Sequence, residues 1–175
     1  MLFSATRKKL LADLLFVMGI CKLNDLSKLM SDGQRLLGLD VGKKTIGIAI
    51  SDCSLTIASP LSIIWRTTFT KDTNELIEFI ERDSIGGLIV GWPLNMNGKS
   101  GPSCDMIRDF SHALLKLRDI PLTFQDERLS TKAVERTMIE ANLSRKKRRK
   151  NLDSAAACWI LQSAIDRLKY EMTGS

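Results

Sequence analysis

From Leu36 onward the chain breaks into short apolar runs separated by amphipathic stretches, and the order of those segments constrains the fold more than any single motif does. Leu36 to Asp40 and Ile46 to Ser51 have the length and composition of strands, and a weaker run from Ile57 to Ile64, interrupted by Pro60, makes a third. Thr70 to Arg82 sets Leu76, Ile77, Phe79 and Ile80 among charges, the pattern of an amphipathic helix, and Leu88 to Val90 between glycines is a buried strand. A loop from Pro93 to Gly101 follows. Ser103 to Leu117 is helical in period, Leu122 to Gln125 is strand-like after Pro121, Thr131 to Ala141 is helical, and Leu152 to Tyr170 is the longest helical stretch. This succession predicts an α/β domain with a central mixed five-stranded sheet, a three-strand meander plus two parallel strands, flanked by helices. Binding and catalytic groups of such sheets gather at the carboxyl ends of strands. The acidic residues there are the ones to inspect.

A chain of 175 residues supplies one such domain and little more. The expected division is an N-terminal extension over residues 1–34 with a short helix, a domain over residues 35–170, and a tail over residues 171–175. Asp13 interrupts the apolar start and no small-residue cleavage site follows, which argues against a secretory signal. A basic amphipathic organellar presequence, or a translation start at Met18 or Met30, stays open, and the segment is expected to lie outside the fold proper. Leu23, Leu26, Leu29 and Met30 fall at helical intervals before the first strand. No apolar run approaches the roughly 18 residues that cross a bilayer. Cys21, Cys53, Cys104 and Cys158 show no C-x-x-C spacing and are expected to be reduced, and His112, the only histidine, has no partner spaced for zinc.

Asp40 stands where the first strand stops and the Val41-Gly42 turn begins. Asp126 and Glu127 occupy the same relative position after the strand ending at Gln125, and Asp153 opens the last helical stretch. Each has an ordinary explanation by itself: Asp40 could hydrogen-bond its turn, Asp126 or Glu127 could pair with Arg128, and Asp153 suits the positive end of a helix dipole. Taken together, they could converge on one sheet edge and offer the hard oxygen donors that two divalent cations need for in-line phosphodiester hydrolysis.

The net charge of +6 equals one run of six cations, Arg145, Lys146, Lys147, Arg148, Arg149 and Lys150. Such a run is ordinarily a solvated loop, but its position beside Asp153 favours contact with phosphates. Lys43 and Lys44 lie in a strand-turn-strand with Gly42 and Gly47, where ammonium and amide groups could meet a phosphate. The polar loop from Gly91 to Gly101 could grip a sugar-phosphate backbone or only turn the chain, and Trp92 could stack on a base or pack. Arg128, next to Glu127, is placed to neutralise charge on a reacting phosphate.

Four segments in this order, LLGLDVGKKTIGIAISD (Leu36 to Asp52), GLIVGWPLNMNGKSGP (Gly87 to Pro102), DERLSTKAVE (Asp126 to Glu135) and LDSAAACWILQSAID (Leu152 to Asp166), resemble the YqgF-type, Holliday-junction-resolvase-like family, also described as pre-16S ribosomal RNA nucleases. The resemblance runs from about Arg35 to Leu168. It implies a ribonuclease H-like fold, a cytoplasmic location and action in 5′-end maturation of small-subunit ribosomal RNA. It also implies an acidic site of Asp40, Glu127 and Asp153 holding Mg²⁺ or Mn²⁺, with Asp126 a substitute for or helper of Glu127. Lys44, Arg128 and the run Arg145 to Lys150 become the expected nucleic-acid contacts. The chain departs from the family at Lys43, where threonine is commoner, and at Trp92, where an apolar residue is usual. Both departures bear on substrate fit and neither touches an acidic position.

Structured precursor RNA is the expected partner, with a DNA four-way junction as the alternative substrate and a monomer or homodimer as the expected assembly. Two other classes compete. The D-V-G-K-K-T-I-G stretch also resembles the first phosphate loop of actin-like ATPases, but those need two lobes and this chain has length for one. The other is a non-catalytic RNA-binding assembly factor in which only the basic run acts.

Overall fold

Strand β1 (Arg35–Val41) lies at the centre of a five-stranded sheet in the order β3-β2-β1-β4-β5. β2 (Thr45–Ser51) and β3 (Ala58–Trp65) continue from it as an antiparallel meander, whereas β4 (Ile85–Trp92) and β5 (Leu122–Asp126) lie parallel to it on the other side. The structure, a computed structural model, describes residues 19–93, 101–126 and 145–173. This is the mixed sheet expected from the segment order, and with its flanking helices it has the ribonuclease H-like architecture.

Helices α2 (Phe69–Arg82) and α3 (Pro102–Leu117) cover one face of the sheet. Leu76 and Ile80 of α2 and Ile107, Phe110 and Leu114 of α3 bury against Leu37, Leu39, Ile46, Ile48, Leu88 and Val90. α2 starts where Thr68 Oγ1 accepts from Lys71 N, and α3 starts with Pro102, whose missing N–H costs nothing in a first turn. The other face is covered by α4 (Arg145–Thr173), whose Ala157, Ile160, Leu161, Ala164 and Ile165 pack on Leu36, Ala49 and Ile89. α4 lies so close to the sheet that a Cβ at Gly38 would sit 2.7 Å from Leu161 Cβ and 2.9 Å from the Ala157 carbonyl oxygen. Glycine at position 38 is what lets the helix settle there.

One element differs from the sequence reading, and another adds detail to it. Helix α4 begins at Arg145, so the backbone of the basic run is helical and not a loop ahead of a helix at Leu152. Lysine and arginine are good helix formers, and the anchored stretch from Ala156 onward spares the run the cost of nucleating by itself. The segment before residue 35 is also packed into the domain from Gly19 onward. Cys21 N donates to Leu122 O at 2.9 Å, and α1 (Leu23–Leu29) buries Leu23 and Leu26 against the α4 side of the sheet. A Cβ at Gly87 would meet Leu26 Cδ2 at 2.7 Å, so the Leu26 side chain seats directly on this glycine. All four cysteines are free; burial pushes the Cys21 thiol up to about 11, with Asp25 adding to the effect, and burial also raises that of Cys158. The expected helix over residues 131–141, the loop residues 94–100 and the first 18 residues lie outside the described residues.

Candidate active site at the carboxyl edge of the sheet

β1, β3, β4 and β5 all end at one edge of the sheet, and β2 begins there. Asp40, half-buried, is the penultimate residue of β1 and pairs with Gly47 of β2. Strand alternation puts Asp40 on the same face as Gly38, which is the face that α4 covers. Ala157 and Leu161 lie against Gly38, and later residues of α4, Gln162 and Lys169, reach Ala58 N and Thr56 O at the opposite edge, where β3 starts. Residue 153 precedes Ala157 by one helical turn, or about 6 Å along the axis, so the backbone of α4 at Asp153 approaches the edge where Asp40 stands.

Asp126 ends β5 and is paired with Trp92. Trp92 packs on Phe124 with ring centroids 4.6 Å apart, and both rings lie against the core under α2 and α3. Asp126 therefore leaves the sheet on the face opposite to Asp40. Packing is thus the role of Trp92 in this structure. Glu127 and Arg128 lie outside the described residues, as do the side chains of Asp153 and of the six cations Arg145 to Lys150.

The register Leu39 to Val90 sets Asp40 level with Gly91, which pairs in turn with Gln125. Gln125 faces the same side as Asp40, and its Oε1 is buried with no hydrogen-bond partner among the described residues. An orphaned acceptor of this kind costs about 1–3 kcal/mol unless something polar reaches it. Among the described residues no three Asp, Glu, His or Cys side chains gather as a metal site, and Asp40 is the one expected ligand whose side chain is described. The expected donor set of three carboxylates is all hard oxygen, which suits Mg²⁺ or Mn²⁺ and not a soft metal.

Lys43 and Lys44 are exposed on the β1-β2 turn immediately beyond Asp40. The turn is closed by Gly42 N donating to Thr45 O at 2.9 Å. It is fastened from outside by Arg66, whose backbone N–H reaches Lys44 O at 2.9 Å and whose Nη1 reaches Gly42 O at 2.8 Å. Arg66 is itself held by the buried carboxylate of Asp72 at 3.5 Å and lies over the Phe110 ring at 5.5 Å. Asp72 also accepts from Thr67 N at 2.9 Å. Sequence reasoning missed this clamp, because Arg66 follows β3 and has no spacing that ties it to Gly42. The only signal was a buried-type position, Asp72, carrying a charge in the first turn of an amphipathic helix.

Residues 34–167 match the family described as RuvX: Holliday junction resolvase. The chain belongs to the RuvX family. Curated relatives similar to this RuvX-family chain include a protein of Paramagnetospirillum magneticum, 50% identical over 137 residues, which cover 78% of this chain and 88% of the relative. A protein of Bartonella quintana is 45% identical over 152 residues, covering 87% and 96%. Both carry the name "Putative pre-16S rRNA nuclease". Among solved structures, that of T. thermophilus RuvC in complex with Holliday junction substrate matches with a TM-score of 0.48 and 12% identity, covering 77% of this chain and 96% of that one. RuvX membership makes the chain a hydrolase of the nuclease class, and nucleases of this fold are generally metal-dependent. No helix among the described residues is long and apolar enough to cross a membrane.

Proposed function

We propose that this RuvX-family chain hydrolyses phosphodiester bonds in precursor 16S ribosomal RNA, in maturation of its 5′ end, using Mg²⁺ or Mn²⁺ in the cytoplasm. The observation that carries the substrate is the 50% and 45% identity, over most of both chains, to relatives named for that activity. Asp40, Glu127 and Asp153 are the proposed metal ligands. Asp40 is half-buried at the edge where strands end, on the face that α4 crosses, which supports its part in that set. Asp126 points to the opposite face, which favours Glu127 over Asp126 as the ligand from this pair.

A bound divalent ion would supply an acidified water and charge stabilisation at the phosphate. The chain's own groups do the rest. Lys44 is proposed to orient a phosphate next to Asp40, a reading supported by the turn that Arg66 already holds in order. Arg128 is proposed to offset charge on the reacting phosphate. The helical run Arg145 to Lys150 places six like charges at the positive end of a helix dipole, with no acidic residue in the first turn. Repulsion between neighbouring turns and the dipole both oppose that arrangement, and a polyanion relieves both.

A second reading, resolution of DNA four-way junctions, is favoured by the family's own description. Incubating the purified chain with precursor 16S RNA and with a four-way DNA junction, each with Mg²⁺ or Mn²⁺, separates the two. Cutting of the RNA near the mature 5′ end is expected, and cutting of the junction alone would replace this reading with the second. RNA binding without cleavage under either metal would leave only the assembly-factor role.

A further inference from the structure

Trp65 ends β3, an edge strand of the sheet, and 64% of its surface is exposed. Its pairing with Thr45 puts it at the same carboxyl edge as Asp40, and the alternation along β3 from buried Ile64 puts it on the Asp40 face. Ile63 is level with Gly47 and therefore with Asp40, so Trp65 lies two strands across and two residues further out. Strand spacing and rise make that roughly 12 Å between Cα positions. The exposed lysines Lys43 and Lys44 lie on the turn between them, and the Arg66 contacts hold that turn in place.

We propose that Trp65 and the Lys43-Lys44 turn form a subsite for an unpaired nucleotide flanking the scissile phosphate, the indole stacking on the base and the lysines meeting the backbone. Aromatic residues suit strands, so a tryptophan in β3 needs no ligand to be there. Packing does not account for this one, because no aromatic ring or cation among the described residues engages the indole and most of it faces water. An exposed aromatic face beside cations is the combination that takes single-stranded nucleic acid, since every base has a stacking face and every link a charge. The other occupant of an exposed edge strand is a second copy of the chain. The exposed Lys43 and Lys44 beside the indole complement a phosphate backbone and not a second copy of a chain whose net charge is +6, which favours nucleic acid.

This inference rests on the nuclease reading for its meaning but not for its test. The probe is a fluorescein-labelled single-stranded RNA of mixed sequence, followed by anisotropy against the full chain without divalent metal. Trp65→Ala is expected to weaken binding by about tenfold or more, as loss of one stacked base does, and Trp65→Phe to retain most of the affinity. Lys43→Ala with Lys44→Ala is expected to flatten the dependence of log Kd on log salt by about 0.7 per lost phosphate contact. Thermal melting confirms that each variant folds. Unchanged binding by Trp65→Ala overturns the subsite, and so does sedimentation showing a dimer that Trp65→Ala dissociates. A wild-type chain that binds through Trp65 but cuts no RNA would overturn the proposed function and leave the subsite standing.

Discussion

Arg66 donates from Nη1 to the carbonyl of Gly42 at 2.8 Å, fastening the turn that follows Asp40 to the end of β3 and, through Asp72, to the start of α2. The end of β3 and the start of α2 therefore decide where Lys43 and Lys44 stand. Arg66→Gln is expected to destabilise the fold by about 3 kcal/mol, because it strands the buried carboxylate of Asp72. Adding Asp72→Asn should recover part of that loss, so the two changes combine to less than their sum, as urea denaturation of both single variants and the double will read. A double variant as destabilised as the sum would show that the two side chains do not act as a pair.

Gly38 meets α4 at backbone as well as side-chain atoms, so Gly38→Ala has no cheap relief. It should cost about 1–3 kcal/mol by overpacking. Leu161→Ala should not rescue it, because the clash is with Leu161 Cβ and the Ala157 carbonyl, both of which remain. Denaturation midpoints of the single and double variants test this, and a rescued double variant would mean that α4 yields at this crossing.

Asp52 shapes the β2-β3 loop by accepting from Ser54 Oγ at 2.5 Å and from the backbone N–H groups of Thr56 and Ile57 at 2.6 and 2.9 Å. These bonds, led by that from Ser54, hold its carboxyl well below the usual carboxylate range. A carboxylate with a depressed folded pKa contributes stability that is complete above its unfolded value, near 4, and lost as pH falls below it. Between about pH 4 and pH 2 the wild type should therefore lose more stability than Asp52→Asn does. Parallel pH dependences in urea denaturation would contradict it.

Much of the sheet was legible because each strand is a short apolar run with its own flanking turn, and the burial of Leu36, Ile48 and Leu88 follows from that pattern. The start of α4 was not legible, since a charge run carries no apolar period and its helicity comes from the packed stretch behind it. The docking of α1 was hidden for a related reason: Leu23 and Leu26 announce a helix, but nothing local announces Gly87 as the place that receives Leu26. Within the candidate site, Asp40 could be found from its place at a strand end. The separation of Asp40 and Asp126 onto opposite faces could not, because it depends on the register between β1, β4 and β5, which no local pattern announces. The same ignorance of faces made Trp92 and not Trp65 the tryptophan to watch, although Trp92 is packed on Phe124 and Trp65 is exposed.

The helical basic run should make substrate binding strongly dependent on salt. Replacing Arg148 and Arg149 together by alanine should reduce the slope of log K against log salt by up to about 2 for a duplex substrate, with affinity lost across sequences alike. Filter binding over a range of potassium chloride concentrations reads this directly. An unchanged slope would remove these two cations from the interface.

On the proposed reading, Asp40 holds the divalent ion that hydrolysis requires. The measurement is the rate of precursor 16S RNA cleavage by wild type and by Asp40→Asn at saturating Mg²⁺ and at saturating Mn²⁺, with thermal melting to show that both fold. Loss of about 100-fold or more in the variant under both metals is predicted, as expected when a charged metal ligand becomes a neutral amide. Cleavage by Asp40→Asn at close to the wild-type rate would contradict it.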